Sequence, residues 1–153
     1  MPDPICVRAA VPGDAPAVAA LLTELGYPSQ APGVAARLAA LDGDVLVAEV
    51  DGEVAGVAAV ARVNVLHDAS TWMRITTLVV GEAFRSRGLG AALVRACEEA
   101  AAAAGCTRIE VTSNVRRDAA HRFYEQLGYT TESRHLLKRL HAAGQATAST
   151  QSS

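Results

Sequence analysis

Hydrophobic and polar positions along the chain follow two periods in turn, which predicts both strands and helices. Runs rich in Val, Ile and Thr predict strands, whereas apolar residues three or four positions apart predict helices. The predicted strands are 5–10, 44–50, 54–66, 71–80, 107–114 and 129–140, the last with a bend. The predicted helices are 14–25, 32–41, 88–104 and 116–127. The polar HDAS segment (67–70) is predicted to be a loop. No internal repeat is present, so the pattern indicates an α/β protein.

Glycines mark the ends of several predicted elements. Gly26, Gly105 and Gly128 each follow a predicted helix, where the positive φ of a C-terminal cap suits glycine. Asp51 and Gly52 stand between two predicted strands, and this pair supplies the positive φ angles of a tight hairpin turn. We therefore predict that the second and third strands form a β-hairpin.

Length and charge limit the domain count and the partners. At 153 residues, half of them apolar, the chain can bury one core. We predict one domain over 1–140 and a mobile tail over 141–153, which has little to bury. The 14 Lys and Arg residues against 16 Asp and Glu residues leave a net charge of −2. Because no overall basic field attracts polyanions, we expect no nucleic-acid or membrane partner.

The three cysteines and the N-terminal segment favour a cytoplasmic protein. Cys6, Cys97 and Cys106 have neither the even count of a disulfide framework nor a CxxC spacing for zinc. The first residues do not have the pattern of a signal peptide, and the chain has no uncharged apolar run long enough to cross a membrane. We expect a soluble protein in a reducing cytoplasm, without a bound metal.

The segment AFRSRGLGAALV (83–94) lies between a predicted strand and a predicted helix. A helix N-terminus leaves backbone N–H groups without partners and carries partial positive charge, which suits a phosphate. Gly88 and Gly90 remove side chains that would keep a pyrophosphate from those amides, and Arg85 and Arg87 add charge. The spacing fits neither a Walker loop nor GxGxxG. From these residues alone, a structural turn is an equal alternative.

Two segments of the sequence resemble the GNAT superfamily of N-acetyltransferases. LVVGEAFRSRGLGAALV (78–94) is similar to the family's [RQ]xxGx[GA] acyl-CoA signature, with Arg85, Gly88 and Gly90 at the matching positions. AHRFYEQLGY (120–129) is similar to its late helix. The two segments follow each other in the order that the family has, with a predicted strand between them.

The resemblance covers about residues 5–140 and implies a fold for them. That fold is a central mixed, mostly antiparallel sheet of about six or seven strands, flanked by about four helices, which is consistent with the α/β pattern.

The resemblance also implies that acetyl-CoA is the cosubstrate. The main chain of 78–80 would pair with the pantetheine arm, and the amides of 86–91 would hold the pyrophosphate. Leu89 would anchor the loop in the core. Asn114 would contact the arm, although a turn-forming asparagine is an equal alternative. The implied acetyl-CoA residues are Leu78, Val79, Val80, Arg85, Ser86, Arg87, Gly88, Leu89, Gly90, Ala91 and Asn114.

Tyr124 and Gly128 match the family's late helix. Without the resemblance, helical periodicity places Tyr124 in the core beside Phe123. With it, the phenol is implied to lie near the thioester sulfur, and a phenol of pKa near 10 retains the proton that the departing thiolate needs. The resemblance therefore implies that Tyr124 is the general acid, and Phe123 stays a core residue.

The sequence defines the general base less clearly. Many relatives carry a glutamate about where Arg74 and Thr76 stand here, so this chain departs from their pattern. Glu110 resembles a glutamate that some members carry in the next strand, and it is the candidate base, with an exposed strand charge as the alternative. His67 and Asp68 are further candidates if their loop faces the acceptor, with solvent exposure as the alternative.

The resulting hypothesis is an N-acetyltransferase that moves an acetyl group from acetyl-CoA to a primary amine of a small molecule or peptide by direct attack. The alternatives are a noncatalytic acyl-CoA-binding or sensory domain and an interaction module that binds no ligand. The sequence leaves the oligomeric state undecided, with a homodimer as one alternative. The acceptor pocket is expected between the early helices and the 64–71 loop, with Tyr27, His67, Asp68, Trp72 and Arg74. Because this set is not a dense acidic cluster, it argues against polyamines and strongly cationic aminoglycosides.

Overall fold

The computed structural model describes residues 4–41, 44–112, 118–132 and 136–140. These residues form a five-stranded sheet, with the strands in sequence order, and four α-helices. The strands are β1 (Ile5–Ala9), β2 (Val45–Val50), β3 (Glu53–Val65), β4 (Asp68–Val80) and β5 (Arg108–Val111). The helices are α1 (Ala15–Leu25), α2 (Ala31–Ala40), α3 (Leu89–Ala103) and α4 (Asp118–Gln126). The predicted α/β class is confirmed, with fewer strands in the described residues than the six or seven expected.

The sheet is mixed and mostly antiparallel, as predicted. Strands β1 to β4 pair with their neighbours in antiparallel fashion, and β5 pairs with β4 in parallel. A tight turn joins β2 to β3, because Asp51 has a φ of 54° and Gly52 a φ of 75°. The predicted hairpin is therefore confirmed, with the turn at the predicted pair of residues.

Two apolar layers cover the two faces of this sheet. Helix α3 contributes to one layer, and α1 and α2 contribute to the other. Successive residues of β3 divide between the layers, since Ala58 belongs to the α3 layer and Val57 to the α1/α2 layer, as the period of two in a strand requires. A ligand that uses strand main chain must therefore reach the sheet at an edge or where two strands separate.

Two predicted elements differ from the structure. Strand β4 begins at Asp68, so the predicted loop at 67–70 is wrong for its last three residues; they extend the β3–β4 hairpin. Their polarity reflects solvent exposure of a two-stranded ribbon and not a loop. The predicted strand at 129–140 is also wrong, because its described residues, 129–132 and 136–140, form no strand.

Some predictions fall outside the described residues. Asn114, the N-terminal part of the predicted helix at 116–127 and the predicted tail at 141–153 are among them. In the part of the chain that the structure covers, no helix is long and apolar enough to cross a membrane.

Candidate active site

Strands β4 and β5 stop pairing in the middle of β4. Their parallel register ends at the pair Ile75 and Val111, whereas β4 continues to Val80. At the same level β4 contains a bulge, because Ala59 of β3 pairs with Thr77 and Val60 pairs with Ile75. In the described residues the second half of β4 therefore has a strand partner on its β3 side alone. Its other edge is a free strand edge inside the fold.

A cleft of about 400 Å³ lies at this opening. It is lined by side chains from α1, the segment that follows α1, the second half of β4, the end of β5 and α4. The described lining residues are Leu22, Leu25, Tyr27, Ile75, Thr76, Thr77, Leu78, Val111, Thr112 and Tyr124. All ten are uncharged, and five carry hydroxyl groups. The cleft therefore brings Leu78 of the strand and Tyr124 of the helix, two predicted site residues, to one place.

The loop that precedes α3 has an open, strained backbone. Ser86 has a φ of 67° and Gly88 a φ of 83°, a region that non-glycine residues seldom occupy. A Cβ on Gly88 would have nothing within 4 Å. Helix α3 has no side-chain cap at Gly88. Among the described residues none accepts a hydrogen bond from the amides of 86–91, so these groups are available to an external acceptor.

Leu89 and Gly90 hold this loop against the core. Leu89 is 1% exposed and belongs to the α3 layer. A Cβ on Gly90 would lie 3.3 Å from Cζ of Phe123, closer than carbon atoms pack comfortably. From the sequence, we expected Gly90 to leave room for a phosphate. The structure supplies a different reason, since the missing side chain makes room for the Phe123 ring.

Two arginines supply positive charge to the loop. Arg85 donates from Nε to the carbonyl oxygen of Val80 at 3.4 Å, a long hydrogen bond. The guanidinium of Arg87 lies 5.6 Å from the centre of the Phe84 ring. Both arginines are exposed, so their charges remain available to an anion at the start of α3.

Tyr124 lines the cleft from α4 and is half-buried among aromatic rings. The Phe123 ring centre lies 5.0 Å away, and that of Tyr129 lies 5.6 Å away. Burial raises the pKa of the Tyr124 phenol above its ordinary 10.0, and the nearby Cys97 adds to the shift. Its hydroxyl has no hydrogen-bond partner in the described residues. At neutral pH it is a protonated donor.

Cys97 is fully buried beside this tyrosine. Burial raises the pKa of its thiol from 9.0 to about 11, with a smaller contribution from the Glu98 carboxylate. Because the thiolate is the nucleophilic form, Cys97 is an inert core residue at neutral pH.

Glu110 lies on β5 and contacts two arginines, one on β4 and one on β5. Its Oε1 accepts hydrogen bonds from Nε of Arg74 at 2.8 Å and from a second nitrogen of the same guanidinium. Its Oε2 has a weaker contact of 3.5 Å with Arg108, whose guanidinium stacks on Trp72 at 3.4 Å. Glu110 is not among the described lining residues of the cleft, and its role as base stays a prediction.

The segment of 17–129, which includes the loop and Tyr124, matches the family model described as Acetyltransferase (GNAT) family. The match covers more than half of the 153 residues. This chain belongs to the GNAT family of acetyltransferases.

Individual GNAT proteins are similar over most of the chain. An aminoalkylphosphonate N-acetyltransferase from Salmonella typhimurium is 34% identical over 132 residues, which cover 82% of this chain and 86% of that protein. A solved putative acetyltransferase from Agrobacterium tumefaciens is 29% identical with a TM-score of 0.78, covering 88% of this chain and 99% of its own. These relatives support acetyl transfer as the class of reaction.

A more distant structure supports the fold alone. An aminoglycoside N-acetyltransferase in complex with CoA has a TM-score of 0.80, covering 93% of this chain and 98% of its own, at 17% identity. The expected GNAT fold is therefore confirmed for this chain.

The described lining of the cleft contains one of the five residues expected at the acceptor pocket. Tyr27 lines the cleft as predicted, whereas Trp72, Arg74, His67 and Asp68 are outside its described lining. The last two are exposed near the tip of the β3–β4 hairpin. The place of these four residues in the acceptor pocket stays a prediction.

Several lining residues had no signal in the sequence. Leu22 and Leu25 follow the ordinary apolar period of α1, and Thr77, Val111 and Thr112 match no motif. The point at which β4 and β5 separate places them in the cleft, and no local pattern encodes that point.

Proposed function

We propose that this protein transfers the acetyl group of acetyl-CoA to a primary amine of a small molecule or peptide. The observation that carries the proposal is the opening between β4 and β5, where an unpaired strand edge, a cleft and the Tyr124 phenol meet. The amine attacks the thioester carbon directly, and no residue of the protein is acetylated.

The free edge of β4 supports the position of acetyl-CoA. Leu78, Val79 and Val80 lie along this edge, where alternate main-chain groups of the strand point away from its partner β3 and are available to an amide-containing chain, as in strand addition. The pantetheine arm of acetyl-CoA contains two amides and would extend along this edge. Asn114, outside the described residues, stays a proposed contact.

The loop before α3 supports the position of the pyrophosphate. In the described residues the six amides from Ser86 to Ala91 have no hydrogen-bond partner, and they lie at the positive end of a helix of 15 residues. Arg85 and Arg87 add two charges. Gly88 leaves open space where a side chain would otherwise stand against the phosphates.

Tyr124 supplies the proton for the leaving group. As the amine nitrogen forms its bond to the carbonyl carbon, the carbon–sulfur bond breaks and the thiolate of CoA takes the phenolic proton. The phenolate then regains a proton from solvent. Because burial raises the pKa of Tyr124, the side chain is in the donor form throughout the neutral range.

The attacking amine must also lose a proton. We assign the acceptance of this proton to Glu110, which receives it through water. Arg74 holds Oε1 of this carboxylate, whereas Oε2 has only the long contact with Arg108. We assign the acceptor function to Oε2. A solvent-relayed proton suits a carboxylate that is absent from the described lining of the cleft.

The uncharged lining supports a small acceptor whose non-reacting part is neutral. The Salmonella relative is named for aminoalkylphosphonates, so an anionic amine is the second candidate. An acceptor panel should therefore contain small neutral amines, dipeptides and an aminoalkylphosphonate, with a polyamine as the cationic comparison.

Two measurements test the proposal. Acetyl-CoA at about 100 times its Kd should stabilise the folded state by about 2.7 kcal/mol, which raises Tm by about 5–10 °C in a domain of this size. No shift at millimolar acetyl-CoA would exclude the cosubstrate and favour the ligand-free interaction module. A shift without thiol release for any amine of the panel would favour the noncatalytic acyl-CoA-binding domain.

A further inference from the structure

A second tyrosine ties the end of α4 to α3. The hydroxyl of Tyr129 donates to Oε2 of Glu98 at 2.8 Å, and the bond is partly buried. Burial raises the pKa of the Tyr129 phenol, and the bond to the Glu98 carboxylate raises it further. Tyr129 therefore keeps its proton, and the bond persists through the neutral range.

Tyr129 is also bound to Tyr124 in two ways. Its backbone N–H donates to the carbonyl oxygen of Tyr124 at 3.0 Å. Its ring meets the Tyr124 ring edge to face, with 5.6 Å between centres and 68° between planes. The anchored ring of Tyr129 thus forms one wall of the space that the Tyr124 ring occupies.

In the part of the chain that the structure describes, packing determines where the Tyr124 hydroxyl points. Within the described residues this hydroxyl forms no hydrogen bond, and the ring is held between Phe123 and Tyr129. Phe123 in turn lies over Gly90, where a Cβ would be only 3.3 Å from the ring. Of the two walls, Tyr129 is the one that a hydrogen bond fixes to another helix.

We propose that Glu98 and Tyr129 are positioning residues, which hold the Tyr124 phenol in line with the departing sulfur. The inference rests on the proposed role of Tyr124 as general acid. Proton transfer requires the donor within hydrogen-bond reach of the acceptor, so a ring that pivots by a fraction of an ångström loses turnover before it loses binding.

The decisive experiment is a double-mutant cycle with Tyr129→Phe and Tyr124→Phe, followed by thiol release with acetyl-CoA and the best amine of the panel. Tyr129→Phe removes one oxygen and should lower kcat by about three- to tenfold, with the KM for acetyl-CoA unchanged. In the Tyr124→Phe background the same substitution should have no further effect on kcat, because the group that it positions is gone.

Variants of Glu98 keep the inference testable if Tyr129→Phe folds poorly. Glu98→Gln retains an acceptor oxygen for the Tyr129 hydroxyl and should keep nearly full kcat, whereas Glu98→Leu should match Tyr129→Phe. Glu125→Gln, at an exposed position on α4, is the control for charge and should change nothing.

Two results would overturn the inference. One is an unchanged kcat in Tyr129→Phe; the other is an equal loss in both backgrounds, which marks a purely structural effect. If Tyr124→Phe itself keeps its kcat, the general-acid role fails and the inference fails with it. A large effect of Tyr124→Phe beside no effect of Tyr129→Phe refutes the positioning role alone.

Discussion

Two parts of the proposed site are built differently: the loop before α3, called the loop end, and the cleft around Tyr124, called the Tyr124 end. At the loop end, Ser86, Arg87 and Gly88 are exposed, and two of the three have positive φ angles. At the other end, Tyr124 is half-buried between two rings. An open loop with unpartnered amides suits a charged ligand from solvent, whereas a packed ring suits a proton donor that needs a fixed position. The comparison agrees with our proposal that the loop end binds acetyl-CoA and that the Tyr124 end carries the chemistry.

The largest effect is expected at the Tyr124 end. Tyr124→Phe removes the proton donor and preserves the ring packing, so kcat should fall by about a hundredfold to ten-thousandfold. The Kd for acetyl-CoA, measured by calorimetry, should stay within about twofold, because the phenol acts on the transition state.

Phe123→Leu is the matched control on the same helix, since it alters packing and leaves the phenol in place. A Tyr124→Phe protein that keeps more than about a third of the wild-type kcat would end the general-acid role.

At the loop end we expect a substitution to weaken the binding of acetyl-CoA. Gly88→Val places a branched side chain at a φ of 83° and in the open space beside the amides. Loss of two or more charge-assisted hydrogen bonds should weaken acetyl-CoA binding by more than about a hundredfold, and the Tm shift with acetyl-CoA should disappear.

Gly105→Val separates ligand exclusion from backbone strain. Gly105 has a φ of 79° and nothing within 4 Å of a Cβ, but it lies beyond the far end of α3, roughly 20 Å away. This variant should lose stability and keep its acetyl-CoA shift. A retained shift in Gly88→Val, with a folded circular dichroism spectrum, would contradict the phosphate site.

The pH dependence of stability should come from the Tyr124 end, where Cys97 is buried. The folded state holds the Cys97 proton to a pKa of about 11, against 9.0 for an ordinary thiol. A raised pKa stabilises the folded state below pH 9, and the stabilisation is lost as pH rises from 9 to 11. About 2–3 kcal/mol of the free energy of unfolding should disappear over this range.

Urea unfolding of the wild type and of Cys97→Ala at pH 8 and pH 11 measures this loss of unfolding free energy. The two tyrosines with raised pKa values, Tyr124 and Tyr129, contribute in the same direction in both proteins. The difference between the two slopes therefore reports Cys97 together with the part of the two tyrosine shifts that Cys97 causes. Parallel slopes would show that the thiol does not stay protonated in the folded state.

The smallest effect is expected for the proposed base. Glu110→Gln keeps an oxygen for Arg74 and removes the basic Oε2, so kcat should fall by about three- to tenfold, below the range of a directly placed base. Glu49→Gln is the matched control, because Glu49 forms a similar ion pair with Arg8. A loss of more than about a hundredfold would place the carboxylate in direct contact with the amine, and no loss would exclude it as the base.

The local features of this protein could be predicted from its sequence. The α1 helix and its Gly26 cap, the turn at Asp51 and Gly52, and the buried anchor Leu89 all appear where the sequence predicts them. Each depends on φ preference or on a short apolar period, which neighbouring residues define. The fold class was predictable for the same reason, since the order of such elements restricts how they can pack.

The set of residues that share the cleft depends on how distant segments pack. The bulge at Thr76 and the end of the pairing between Ile75 and Val111 open the sheet, and this opening brings Leu22 and Leu25 of α1 to the same space as Tyr124. Register between strands far apart in sequence is a non-local property. A helix period likewise cannot tell a leucine that faces the core from one that faces a cleft.

The two glycines of the signature show the same division. Gly88 and Gly90 both lack a side chain and lie two positions apart. Gly88 faces open space, whereas Gly90 faces the Phe123 ring. The sequence determined that both positions are free of side-chain atoms. Gly90 must lack a side chain because α4 approaches α3 there. Only packing between distant segments can bring a ring to 3.3 Å from that Cβ position.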